Sequence, residues 1–245
     1  MPRAARLVID GGTYHVMTRG NNGQPVFREA SDCQRYLDFL LIYVREHELS
    51  VFHYALMPNH VHLVLQTRRA ERLSHAMHGL NLSYALFFRK RYRYSGHLWQ
   101  GRFKSLAIEK ESYLLECGRY VELNPVRAGI VKHPKEYLWS SYRVYAEGLQ
   151  HPLVTYHPLY EAMGASPAER QQRYQEFIQA TMDAVKSLDA PSRFFPDLHR
   201  VDPWRSIAHK VGFPPRRSHR PATSRSGRLA AREVSPLQEK EASPS

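Results

Sequence analysis

Along this chain the spacing of apolar positions changes several times, and each change marks an element. Residues 13–18, Thr-Tyr-His-Val-Met-Thr, read as a strand, followed by a Gly/Asn loop at 19–23. Ser31 with Gln34 forms a capping box, and Leu37, Leu40, Leu41 and Val44 then recur at i, i+3, i+4 and i+7. That pattern predicts an amphipathic helix of about 17 residues. Two β-rich runs, 50–57 and 60–66, are separated only by Pro58-Asn59 and predict a hairpin. A second helix is expected over 71–92, with Leu73, Met77, Leu80, Tyr84 and Phe87 on one stripe. A strand over 103–109 follows. A third helix starts near Ser112 and should stop near Asn124-Pro125, because the residue before proline avoids the helical region.

The order β-α-β-β-α-β predicts an α+β fold, a ferredoxin-like antiparallel sheet with both helices on one face. The third helix is an addition, free to cover the other face. Ser166-Pro167 with Glu169 opens a further helix carrying Tyr174, Phe177, Ile178 and Val185, and Asp202-Pro203 opens a short one with Trp204, Ile207, Ala208 and Val211 before Gly212. Beyond 213 the chain is rich in Pro, Ser and Arg without apolar period, as in a disordered basic tail. The expected organisation is a domain at 1–145, a helical extension of open role at 146–212 and a tail at 213–245.

Composition narrows the class. With 245 residues, 42% hydrophobic and 24% charged, the chain can bury a conventional core, which excludes a wholly disordered protein. Its two cysteines, Cys33 and Cys117, cannot build a disulfide framework. No apolar run approaches the roughly 20 residues that span a bilayer, and Asp10 with two glycines interrupts any signal-peptide core. A cytoplasmic protein without a membrane partner is expected. The net charge of +12 points to a polyanion, nucleic acid first. About a third of it lies in the tail, which holds seven basic and three acidic residues.

Three features could carry chemistry. His60-Val61-His62 falls inside the second hairpin strand, so both imidazoles share one face, a ready pair of ligands for a divalent metal. A lone H-x-H is also simply two surface histidines, and the spacing leaves both readings open. Tyr120 and Asn124, four apart on the third helix, put a phenol and an amide on one face. An amide oxygen is a hard third ligand for Mg²⁺ or Mn²⁺, and a tyrosine beside such a site could attack a phosphate; a core aromatic and a helix-ending Asn fit the spacing equally. The third feature runs from Arg89 to Lys104. It holds six basic residues (Arg89, Lys90, Arg91, Arg93, Arg102, Lys104) and four aromatics, among them Tyr92, Tyr94 and Trp99, with no acid. That mixture suits single-stranded nucleic acid, the cations tracking phosphates and the rings stacking on bases.

Taken together, Met57-Pro-Asn-His-Val-His-Leu-Val64, Gly96-His-Leu-Trp-Gln-Gly-Arg-Phe-Lys104 and Tyr120-Val-Glu-Leu-Asn-Pro-Val-Arg-Ala-Gly129 resemble, in order and spacing, the transposase domain of the REP-associated tyrosine transposases. These belong to the HUH single-strand nucleases and are related to insertion-sequence transposases. The resemblance covers roughly residues 5–145. It implies that His60, His62 and Asn124 bind the metal, Mg²⁺ or Mn²⁺, and that Tyr120 attacks the scissile phosphate, leaving a 5′-phosphotyrosine and a free 3′-OH. The implied partner is single-stranded DNA with a hairpin, bound by a monomer or a homodimer. Two alternatives compete: a domesticated DNA- or RNA-binding protein without catalysis, and a rolling-circle replication initiator. The chain has no Walker-type glycine loop for a helicase that would favour the second.

Overall fold

The computed structural model describes residues 8–110 and 112–187. The helix expected over 202–212 and the tail from 213 lie outside the described residues, as does the side chain of Val185. All described residues belong to the first of two units into which the chain divides, Met1–Asp197.

The strands are β1 (Thr13–Arg19), β2 (Leu49–Met57), β3 (His60–Thr67) and β4 (Lys104–Ala107). The helices α1 (Ala30–Glu46) and α2 (Ala70–Tyr92) make the two crossovers. One antiparallel sheet results, ordered β2-β3-β1-β4, the arrangement of a ferredoxin-like fold. Alternation along the strands sends Val16, Val61, Leu63 and Leu65 to the face covered by α1 and α2, where Tyr36, Leu40, Leu80 and Tyr84 complete the main core. The opposite face is covered by α3 (Ser112–Glu122), which packs Leu114 and Val121 on Phe52, Ala55 and Val64. The expected division of helices between the faces is therefore present.

Several local details differ from the sequence reading. The capping box of α1 belongs to Glu29 and Asp32, not Ser31 and Gln34; the Asp32 side chain accepts from the Glu29 N–H at 3.1 Å. An exposed acid can serve as cap here because Arg91 pairs with both carboxylates. On α2 the deeply buried ring is Phe88 rather than Phe87, since the stripe drifts by a residue over six turns of a 3.6-residue period. Pro125 restarts the helix instead of closing it: α3 stops at Glu122 and α4 (Asn124–Arg127) follows, with the proline in its first turn, where a missing N–H costs nothing.

Beyond α4 the chain turns back across the free edge of β2. The N–H of Leu56 donates to the Trp139 carbonyl at 2.9 Å, and that of Thr155 to the Val51 carbonyl at 2.8 Å, so this edge offers no open ladder. Three helices follow the first crossing: α5 (Tyr142–Glu147), α6 (Pro158–Glu161) and α7 (Pro167–Ser187). They pack Tyr142, Tyr145, Tyr160, Tyr174 and Ile178 around Leu123, just past the end of α3. As predicted, Ser166 caps α7, its hydroxyl accepting from the Glu169 N–H at 3.2 Å.

Candidate active site

His60 and His62 project from the central strand β3 onto the α3 face, and Val61 between them is buried in the main core. The register places Arg19 and Met17 of β1 beside them, with His15 two residues further on the same face. His15 Nε2 lies 2.8 Å from His62 Nδ1, the rings stacked at 5.0 Å. The α3 helix then lowers Tyr120 onto this pair. Its ring centroid stands 5.9 Å from that of His15 and 6.0 Å from that of His62, edge-on to both. Asn124, nearly buried, donates from its amide nitrogen back to the helix, to the carbonyls of Tyr120 (2.9 Å) and Val121 (3.2 Å). Its amide oxygen is the branch that the helix does not use. The sequence-expected residues His60, His62, Tyr120 and Asn124 thus occupy one face of the sheet and the helix end above it.

Burial sets the charge states. It lowers the His15 pKa to about 4, with His60 nearby acting in the same sense, and carries that of His62 well below the usual imidazole value. Both rings are neutral at pH 7 and keep a lone pair. Tyr120 is pushed up to about 12 by burial, opposed by the guanidinium of Arg127. Arg127 sits 4.5 Å above the phenol ring and donates to the Tyr120 carbonyl at 3.3 Å; its own pKa falls to about 10, again through burial.

The donor set suits a divalent metal. Among the described residues no cluster of three or more His, Cys, Asp or Glu is suited to one, but two imidazoles and an amide are a different set. Asn59 donates to the Gly23 carbonyl at 3.1 Å, which turns its amide oxygen to His60 Nδ1 at 2.6 Å. That bond fixes the proton on Nδ1 and the lone pair on Nε2. For His62 the contact with His15 engages Nδ1, and the tautomer that donates to His15 likewise puts the lone pair on Nε2.

The basic strip meets the same end of the sheet. A loop after α2 is hydrogen-bonded across the end of β1: Asn21 N–H to the Leu98 carbonyl and Gln100 N–H to the Arg19 carbonyl, both 2.8 Å. Arg89, Lys90, Arg93, Arg102 and Lys104 are exposed. Arg91 is engaged with Glu29 and Asp32. The aromatics have structural partners: Tyr92 donates to Asp32 at 2.7 Å, Tyr94 accepts from Gln24 at 2.9 Å, and Trp99 donates to the Asn81 carbonyl at 2.8 Å, all three rings leaning on the main core. Each keeps only part of its face for a base.

Sequence reasoning passed over two residues of this centre. Arg127 completes an i, i+4, i+7 series with Tyr120 and Asn124, and that spacing is the signal that finds it. His15 carries no local signal, because only the pairing of β1 with β3 brings it to His62.

Comparison with known proteins shows what the chain is similar to. None of the curated proteins matches the sequence significantly. Among solved structures, a REP-associated tyrosine transposase bound to a REP hairpin superposes with a TM-score of 0.51 at 20% identity, covering 64% of this chain and 93% of that one. At that identity the match establishes a common fold. A candidate transposase from Deinococcus radiodurans R1 aligns at 19% identity over 49% of this chain and 96% of its own, with a TM-score of 0.34. The family model described as Transposase IS200 like matches residues 9–124, a span that runs from the start of the sheet to the amide of Asn124. The transposase resemblance carried by the three sequence motifs is borne out: residues 9–124 match the IS200-like transposase family model.

Proposed function

We propose that the protein nicks and rejoins single-stranded DNA through Tyr120. The observation that carries this reading is the packing of the Tyr120 ring over the neutral imidazoles of His15 and His62, with His60 against His62 and the Arg127 guanidinium on the phenol. In the reaction the Tyr120 oxygen bonds to the scissile phosphorus, the bond from phosphorus to the 3′ oxygen breaks, and the leaving strand departs as a 3′-OH. The product is a 5′-phosphotyrosine. Attack by another 3′-OH reverses the step, so the ester bond is conserved and no nucleotide cofactor is consumed. Burial keeps Tyr120 protonated at neutral pH, and Arg127 on its ring offsets part of that cost. His60, His62 and Asn124 would hold Mg²⁺ or Mn²⁺; the ion supplies Lewis-acid charge that neutralises the phosphate and favours the phenolate. A fold relative bound to a REP hairpin supports a hairpin substrate, and the exposed cations of 89–104 supply contacts for its backbone.

The test is incubation of purified protein with 5′- and 3′-labelled hairpin single strands and Mn²⁺, followed by denaturing gels. A covalent adduct carrying the 3′-side label is expected, absent with Tyr120→Phe and with the metal chelated. An adduct that persists in Tyr120→Phe removes the nucleophile assignment. Salt-sensitive hairpin binding without any adduct identifies a binding protein instead.

A further inference from the structure

Glu122 stands two residues from Tyr120, fully buried, on a different flank of α3 from the one that meets His15 and His62. Its carboxylate receives three hydrogen bonds from three other parts of the chain. Ser141 donates to Oε1 at 2.5 Å and His53 Nδ1 lies 3.0 Å from the same oxygen, while the Tyr174 hydroxyl donates to Oε2 at 2.7 Å. His53 is itself held from both sides. Tyr145 stacks on it at 4.4 Å, and α3 crosses it so closely that a Cβ at Gly118 would lie 2.4 Å from its Nε2. A bulge between Val51 and His53 aims that imidazole at α3. Three of the four partners, Ser141, Tyr145 and Tyr174, lie beyond the span matched by the family.

A buried carboxylate is stable only when its oxygens are satisfied, and these donors satisfy them from fixed directions. Gly118 and Glu122, one helical turn apart, therefore fix both the height and the rotation of α3 over the sheet. Tyr120 lies on the other flank of the same helix, and Asn124 follows just past its end. A small rotation about its axis would carry the phenol away from the His62 face, and a misplacement of about 1 Å is enough to slow chemistry about a hundredfold.

We propose that Glu122 is a positioning residue and that the segment 140–182, through Ser141, Tyr145 and Tyr174, is a brace that sets the catalytic helix. This assigns a role to the extension that no sequence motif explains, and its catalytic half rests on the nicking function proposed above. Tyr174→Phe removes one donor and keeps the ring in its aromatic packing, whereas Glu122→Ala risks misfolding. Ile178→Ala is the control: it opens a cavity in the same helix without touching Glu122. The first readout is amide hydrogen exchange, which needs no activity. Tyr174→Phe should accelerate exchange at least tenfold across residues 113–124 with β3 unchanged, and Ile178→Ala should not single out that helix. The second is cleavage at saturating hairpin DNA, expected to fall about tenfold in Tyr174→Phe with hairpin and Mn²⁺ affinities within twofold of wild type, and to hold in Ile178→Ala. Unchanged exchange in α3, or equal loss of rate in both variants, overturns the brace. Selective exchange in α3 with no cleavage by wild type leaves the brace standing and overturns the nicking function.

Discussion

His15 shows how one residue couples the site to stability. Its imidazole is buried and its pKa falls from 6.5 to about 4, so between those values the unfolded chain takes up a proton that the folded chain refuses. The stabilising contribution is complete above pH 6.5 and is lost as pH falls towards 4, up to about 3 kcal/mol by the shift alone. His62, lowered by burial in the same direction, adds to it. Urea denaturation of the metal-free protein should show stability dropping between pH 7 and 5, and His15→Gln should flatten that slope; a flat wild-type profile would contradict a neutral buried pair. At this scale the sequence shows four of the six residues of the centre, missing His15 and Arg127. His60-Val-His62 and the Tyr120/Asn124 spacing are local patterns, visible because strand and helix periods are fixed. His15 and His53 are not, since each meets its partner across 47 or 69 residues, and single histidines in alternating strands look alike until the register is known.

The order of elements was legible through Glu122 because every crossover is long and periodic, with a cap or a turn at its boundary. Accuracy declined where packing overrode propensity. Glu29 replaced Ser31 as the cap once Arg91 of α2 came within reach, and Phe88 replaced Phe87 where α2 drifts across the sheet. Between Asn124 and Pro158 the helices have four to six residues, too short for a periodic signal, and the crossing at β2 depends on backbone hydrogen bonds that leave no mark on side-chain pattern. The long helices carry the stability. Leu80 is fully buried between α2 and the sheet, whereas Leu82 on the same helix is 51% exposed. Leu80→Ala should cost about 2–5 kcal/mol and Leu82→Ala less than about 0.5 kcal/mol, a contrast that thermal melts of the two variants will read directly.

For the molecule as a whole, charge acts through position rather than sum. Arg93, Arg102 and Lys104 are exposed near the histidine end of the sheet, while Arg91, exposed as well, is already paired with Glu29 and Asp32. Neutralising one of the first three should lower the slope of log affinity for single-stranded DNA against log salt by about 0.7, and Arg91→Gln should leave the slope nearly unchanged while lowering the melting temperature. Titrations of hairpin DNA at several salt concentrations distinguish the two. The loop that carries part of this strip is fastened to β1 by main-chain amides and carbonyls, at Asn21 to Leu98 and Gln100 to Arg19. Every residue type but proline owns such groups, so this part of the fastening does not depend on the loop's exposed side chains, whereas Tyr94, Leu98 and Trp99 hold it to the core by their own. Only Gly96 and Gly101, with φ of 101° and 74°, are bound to their identity by backbone shape. The exposed face of the loop is in this sense an interchangeable part: its letters are free to drift, and with them the DNA that the proposed function would select, while the histidine–tyrosine centre stays where the sheet holds it.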